Sequence, residues 1–331
     1  MRKILFGVLL GLIFSCSKKE PANPAFYYWR TQFKLSETEK KCLATNDVKQ
    51  LFVRYFDVEL RHGQPFPVAP IHFSHVVKGQ QIIPVIFIKN EVFLSKSTDV
   101  ADLTTKMLRL IHQINKVNHV AVKEIQLDCD WSLESRDAYM KFLTLIKKQS
   151  KLRVSVTIRL HQVKYFKETR VPPVDYGVLM FYNMGQLTAK GTNSIYDISI
   201  AKKYLYHLKD YPLKLSIALP IFSWYVHSRA GNVVQLISKL DKKTFENNVN
   251  FEVNGNTILV KHNVMFEGFY FQANDQLRLE EISKEALEEM SDLLSDKLSD
   301  KPEHILFYDL DYKNIKNYPN ESFFKTIATD F

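Results

Sequence analysis

The chain alternates between short apolar runs and longer segments of helical spacing. The runs at 26–29, 51–58, 82–88, 124–130, 153–160, 177–182, 215–222 and 304–310 are rich in β-branched and aromatic residues. Near-continuous runs of this kind predict strands covered on both faces. Between them, 99–117 places Leu103, Met107, Leu110, Ile111 and Ile114 on one helical face. Residues 132–148 do the same with Tyr139, Phe142, Leu143 and Ile146, and 198–208 and 279–298 read as further helices. Strand followed by helix implies parallel pairing through crossovers. Eight such strands predict an α/β fold of the (β/α)8 TIM-barrel type over residues 25–331. A doubly wound open sheet is the competing arrangement, but no Gly-rich phosphate loop follows the first strand.

One stretch, 232–278, breaks this rhythm. Within it, 248–253 and 257–261 flank Asn254-Gly255 and predict a β-hairpin with a type I′ turn, and 266–272 offers a third strand. The insertion follows the seventh strand. It is therefore expected to cap or wall the face where barrel enzymes carry their sites.

The start of the chain has a different character. Arg2 and Lys3 precede an apolar run from Ile4 to Phe14, then Ser15-Cys16. That run is too short to span a bilayer and matches a secretory signal. Ile13-Phe14-Ser15-Cys16 resembles a bacterial lipobox, with Phe14 bulkier than usual. The resemblance implies that residues 1–15 are removed, that Cys16 is lipidated, and that 16–24 form a polar tether. It places the protein at the cell envelope, anchored to the outer membrane on its periplasmic or surface face.

Hydrophobic residues make up 46% and charged residues 24% of the 331, which excludes a disordered chain. With 45 Lys+Arg against 36 Asp+Glu, the formal charge is +9. The excess is spread along the chain, so nucleic acid is not the expected partner. Anionic lipid headgroups or acidic polysaccharide suit it better. Cys42 and Cys129 read as two buried thiols rather than a disulfide framework. Neither His-x-x-x-His, Cys-x-x-Cys nor Gly-x-Ser-x-Gly occurs, so no metal, cofactor or serine-hydrolase elbow is expected. A monomer is expected.

Candidate chemistry collects where strands end. Alternation on the fourth strand puts Gln126, Asp128 and Asp130 on one face, with Ile125, Leu127 and Cys129 on the other. The apolar set must meet helices, so the acids point into the barrel. By the same rule Ser155, Thr157, Arg159 and His161 point inward from the fifth strand. Acids beside inward Arg and His make a charged cluster of the sort that marks active sites, or else a structural ion-pair network of Asp128 with Arg159. Asp57, Glu59 and Asp309 join the pool of carboxylates. Tyr28, Trp29, Tyr182 and Trp224 end strands and offer flat faces to sugar rings.

These residues carry a resemblance. Leu127-Asp128-Cys129-Asp130-Trp131-Ser132 is similar to the fourth-strand Asp-x-Asp-x-Glu signature of chitinase-like glycosyl hydrolases. Leu179 to Asn183 and Ala218 to Phe222 resemble that family's sixth- and seventh-strand segments. Region 25–312 also resembles a family of bacterial lipoproteins with no assigned activity, marked by Gln126 to Trp131, Thr157 to Lys164 and Val171 to Asp175. The likeness implies a hydrolase-like barrel acting on glycans, with Asp130 and Tyr182 meeting a substrate N-acetyl group. Arg159, His161, Asn183 and Asp309 would orient the sugar, and Trp29 and Trp224 would stack on it. The pattern departs in two places. Ser132 stands where the family has its acid, and Ile125 where it has its leading Asp. A serine cannot protonate a leaving oxygen at neutral pH. Either other carboxylates act, drawn from Asp128, Asp130, Asp57, Glu59 and Asp309, or the barrel is a non-catalytic glycan-binding or envelope-assembly lipoprotein. Glycosidases place two carboxyls about 5–5.5 Å or 6.5–9.5 Å apart.

Overall fold

The computed structural model describes residues 21–74, 79–318 and 322–331. The expected signal and Cys16 lie outside the described residues.

Eight parallel strands close into a barrel: β1 (Asn23–Tyr28), β2 (Gln50–Arg61), β3 (Gln81–Ile88), β4 (Glu124–Asp128), β5 (Arg153–Arg159), β6 (Tyr176–Met180), β7 (Leu215–Pro220) and β8 (His304–Tyr308). Each pairs with the next in chain order. The ring shuts because β1 pairs with both β2 and β8, Phe26 standing opposite Leu51 and Phe307. Strand β1 starts at Asn23, inside the stretch read as tether. Strand β2 runs on past the ring into an antiparallel hairpin with Gln64–Val68.

The helices wrap the outside for reasons visible in their spacing. Val100–Asn118 is capped by the Asp99 carboxylate and buries Leu103, Met107 and Ile111, at i, i+4 and i+8. Arg136–Ser150 buries Tyr139, Phe142, Leu143 and Ile146. It starts later than its apolar period predicted. Ser132 does not cap it; the Ser132 amide donates to the Ser135 hydroxyl at 2.9 Å in the turn before the helix. The last predicted helix is shorter too, Lys284–Ser295 with Ser283 as N-cap. Outward-facing Ile125, Leu127, Val154, Val156 and Ile158 are fully buried in the same cluster as these helices.

Inside the barrel, polar side chains on the inward face bond to one another. The Tyr27 hydroxyl donates to Gln126 at 2.7 Å, and the Ser155 hydroxyl donates to Glu124 at 3.0 Å. Cys42 and Cys129 are both free thiols.

The insertion is larger than the sequence predicted. Five antiparallel strands, Trp224–Arg229, Asn232–Ser238, Phe251–Asn254, Thr257–Val260 and Gln276–Glu280, form one sheet. Phe251–Asn254 and Thr257–Val260 are joined through Asn254 and Thr257 across Gly255, which has φ 58°. The segment read as a third strand forms a separate hairpin, Val264–Phe266 with Phe269–Phe271. This unit has its own apolar core around Tyr225, Phe245, Phe251 and Leu277. Its first strand begins at Trp224, four residues after β7 ends, so the sheet stands directly on the barrel mouth.

Candidate active site at the barrel mouth

The C-terminal ends of all eight barrel strands meet around one open cavity of about 460 Å³. Trp29 follows β1, Asp57 and Phe87 lie on β2 and β3, and Asp128 and Arg159 end β4 and β5. Met180, Tyr182 and Asn183 come from the end of β6, Phe222 and Ser223 follow β7, and Tyr308 and Asp309 close β8. The insertion adds Trp224, Ser238 and Lys239 to the wall.

Asp128 stands on the inward face of β4, as period two requires. It is 5% exposed and accepts a 2.7 Å hydrogen bond from the Thr157 hydroxyl. Burial pushes its carboxyl up to about 6, against the pull of Arg159 and Thr157. Arg159 is bonded not to Asp128 but to Asp130, Nε to Oδ1 at 2.5 Å and Nη2 to Oδ2 at 3.1 Å. Asp130 lies beyond the end of β4 with its side chain 52% exposed, so it leaves the cavity lining and faces a neighbouring depression. His161 lies there too. Strand β5 stops at Arg159 and a short helix, Leu160–Lys164, begins at once. The alternation that would point His161 inward therefore ends one residue too soon, and burial among its neighbours lowers its pKa.

Strand β2 carries an irregularity between Arg54 and Phe56. The extra residue resets the alternation. Arg54 and Asp57 consequently share the inner face and pair, with Arg54 Nε 2.6 Å from Asp57 Oδ1. Phe56 and Val58 face outward, toward the helix Val100–Asn118. Glu59 sits past the cavity, in ion pairs with Arg61 at 3.1 Å and Lys89 at 2.8 Å. It is not brought to the site.

Asp309 is buried, accepts from the Asn314 amide at 2.7 Å, and has Lys239 at 3.9 Å. Burial raises its pKa, with Lys239 opposing. The aromatic floor is continuous. The Tyr308 ring lies 5.5 Å from Trp29, 5.7 Å from Tyr182 and 5.8 Å from Phe222, and Phe222 lies 5.1 Å from Trp224. Tyr182 is buried with its hydroxyl toward the Met180 sulfur at 3.4 Å. Tyr28 is fully buried on the other side of β1, its hydroxyl donating to the Gln32 carbonyl at 2.6 Å. Ser132 does not line the cavity.

Sequence reasoning missed Lys239, Phe87, Phe222, Tyr308 and Asn314. Tyr308 carried a usable signal, an aromatic one residue before a strand-end Asp. Lys239 carried none, since it reaches the cavity only through the folding of the insertion. Among the described residues no group of three His, Cys, Asp or Glu side chains is placed to hold a metal. The site can present three carboxyls of different environment, two cations and a flat apolar floor to one ligand.

No family model matches the chain, and no curated protein matches it in sequence. Solved structures do match. The spore cortex-lytic enzyme SleL of Bacillus megaterium superposes with a TM-score of 0.58 at 14% identity, over 94% of this chain and 75% of that one. SleL of Bacillus cereus gives 0.54 at 16% identity, over 94% and 74%. A chitinase from Cycas revoluta in complex with (GlcNAc)3 gives 0.53 at 12% identity, over 93% and 99%. The fold is that of the chitinase-like barrels.

Proposed function

We propose that this protein is a lipid-anchored, glycan-acting barrel of the cell envelope. One observation carries the reading: an open cavity at the barrel mouth with an aromatic floor and three carboxyls on its wall. Sugar rings expose flat patches of C–H on one side and hydroxyls at their rim. Trp29, Phe222, Trp224 and Tyr308 suit the first, and Asp57, Asp128, Asp309 and Asn183 suit the second. The fold likeness to chitinases and to cortex-lytic enzymes supports the same class of ligand.

Cleavage is the second reading, and Asp128 favours it. A carboxyl at about 6 keeps a proton on roughly a tenth of molecules at pH 7 and can lend it to a leaving oxygen. Asp57 or Asp309 would be the second carboxyl. Asp130, salt-bridged outside the cavity, is left to hold Arg159 in place. The test sets the purified chain and its Asp128→Asn variant against a panel of envelope and plant glycans, scoring binding and hydrolysis separately. Hydrolysis lost in the variant supports an enzyme acting through Asp128. Binding by both proteins without hydrolysis leaves recognition as the function. Silence in both assays defeats the glycan reading.

The anchor rests on the sequence of residues 1–16. Labelled palmitate should enter the protein through Cys16 and travel with the outer-membrane fraction, and Cys16→Ser should release it.

A further inference from the structure

The cavity does not end at Lys239. A smaller depression of about 190 Å³ shares Ser223, Lys239 and Asn314 with it and continues outward past Lys242, Lys313 and Lys316. Two of these four ammonium groups are neutralised: Lys316 by Asp241 at 2.6 Å and Lys239 by Asp311 at 2.8 Å. The other two are not. Lys313 donates to the Lys239 carbonyl at 2.7 Å, which fixes its position, and has no ion pair among the described residues. Lys242 has no ion pair among the described residues. Both are only partly exposed, so solvent and salt screen them less than free surface lysines. Among the described residues lining the depression, Glu281 is the one carboxylate without an ion pair to set against them. The pairs come from two elements, the insertion for Lys239 and Lys242 and the helix Tyr312–Ile315 with its following turn for the others. The positive arm therefore exists only where the insertion meets the barrel.

We propose that this lysine-lined arm is a subsite for the anionic substituent, carboxylate or phosphate, of an acidic glycan whose rings lie on the aromatic floor. The proposal rests on the glycan reading above and adds the class of sugar. A neutral chain would occupy the floor and leave Lys242 and Lys313 facing water. An acidic chain would also be oriented, its charged group at the lysine end and its other end toward the depression around Asp130 and His161.

The experiment measures, by calorimetry on the full chain in detergent, binding of two tetrasaccharides with one backbone. One is chitotetraose; the other alternates GlcNAc with MurNAc and so differs by its lactyl carboxylates. A mannose oligosaccharide with and without a 6-phosphate forms the phosphate arm. At least one acidic sugar should bind about ten-fold more tightly than its neutral counterpart, as expected for two partly screened ion pairs. Lys242→Gln with Lys313→Gln should abolish that preference and keep both the chitotetraose affinity and the melting temperature. The paired Arg replacements should retain it. Equal affinity for neutral and acidic sugars in the unaltered chain overturns the proposal and leaves the glycan reading standing. A preference that survives the Gln pair also overturns it. If no sugar binds, the glycan reading itself has failed. A Gln pair that loses only its binding to phosphatidylglycerol vesicles would make the arm a lipid-facing surface instead.

Discussion

Arg159 grips Asp130 through Nε and Nη2, at 2.5 Å and 3.1 Å, while Asp128, two residues earlier and the last residue of β4, is held by the Thr157 hydroxyl. One guanidinium thus divides two neighbouring carboxylates into different roles. The exposed one is a permanent anion partner. The buried one keeps only the cation's field. Removing that field should push the Asp128 titration above about 6, because the charged form loses an attractive neighbour. Carboxyl carbon NMR on Arg159→Met reads the midpoint directly, and a midpoint that stays put would contradict the assignment.

Asp128 should also set a pH dependence of stability. Its folded value of about 6 lies above the unfolded value near 3.9. Below the lower value both states are protonated and nothing is lost. Between the two, the unfolded chain gives up its proton first, so stability falls as pH rises, and the loss is complete above 6. At 1.36 kcal/mol per unit the full loss is about 3 kcal/mol. Asp128→Asn still accepts from Thr157 and should therefore be more stable than the parent at pH 7.5, by about 1–3 kcal/mol, and equal to it near pH 3.5. Urea unfolding at the two pH values decides the matter.

Trp29 lies against Tyr308 and Tyr27 at the cavity edge. Its indole face is the broadest stacking surface that β1 offers a sugar. Trp29→Ala should weaken glycan binding about ten-fold, and Trp29→Phe should restore most of it. Titration calorimetry with the tightest glycan of the panel supplies the comparison. An unchanged affinity in Trp29→Ala would remove this residue from the binding surface.

Glu280 joins the insertion to the barrel. Its buried carboxylate accepts from Trp224 Nε1 at 2.8 Å and the Ser194 amide at 3.1 Å, and pairs with Arg278 at 2.8 Å. Arg278 in turn donates to the carbonyls of Thr188, Gly191 and Thr192 in the loop after β6. Glu280→Ala leaves a poorly solvated guanidinium without its carboxylate and should cost about 3–5 kcal/mol. A thermal scan should show the fall, and Trp224 fluorescence should shift as the indole loses its acceptor. A variant that melts like the parent would show that the loop and insertion hold each other by packing and the Arg278–carbonyl bonds, without the Glu280 carboxylate.

The barrel was legible because its cause is local. A strand covered on both faces must be apolar nearly throughout, and eight such runs separated by amphipathic helices leave few arrangements. Part of the site was legible for the same reason. Ile125, Leu127 and Cys129 had to face the helices, so Asp128 had to face inward. Where an element broke its own period, the rule failed. The irregularity near Tyr55 brought both Arg54 and Asp57 to the inner face, and the helix that starts at Leu160 turned His161 aside. Glu59 ran past the barrel on a hairpin, where Arg61 and Lys89 pair it.

By itself, then, the sequence determined the barrel, the inward face of its fourth strand and the place of the insertion after the seventh, because each follows from periodicity and from burying apolar side chains. Only the tertiary structure decided which acids share a cavity, that Arg159 belongs to Asp130 and that Lys239 meets Asp309 and Asp311. The reason is distance. Lys239 and Asp311 are 72 residues apart along the chain and 2.8 Å apart in space. No local pattern encodes such a meeting; it exists once the insertion has folded on its own core and come to rest on the barrel mouth.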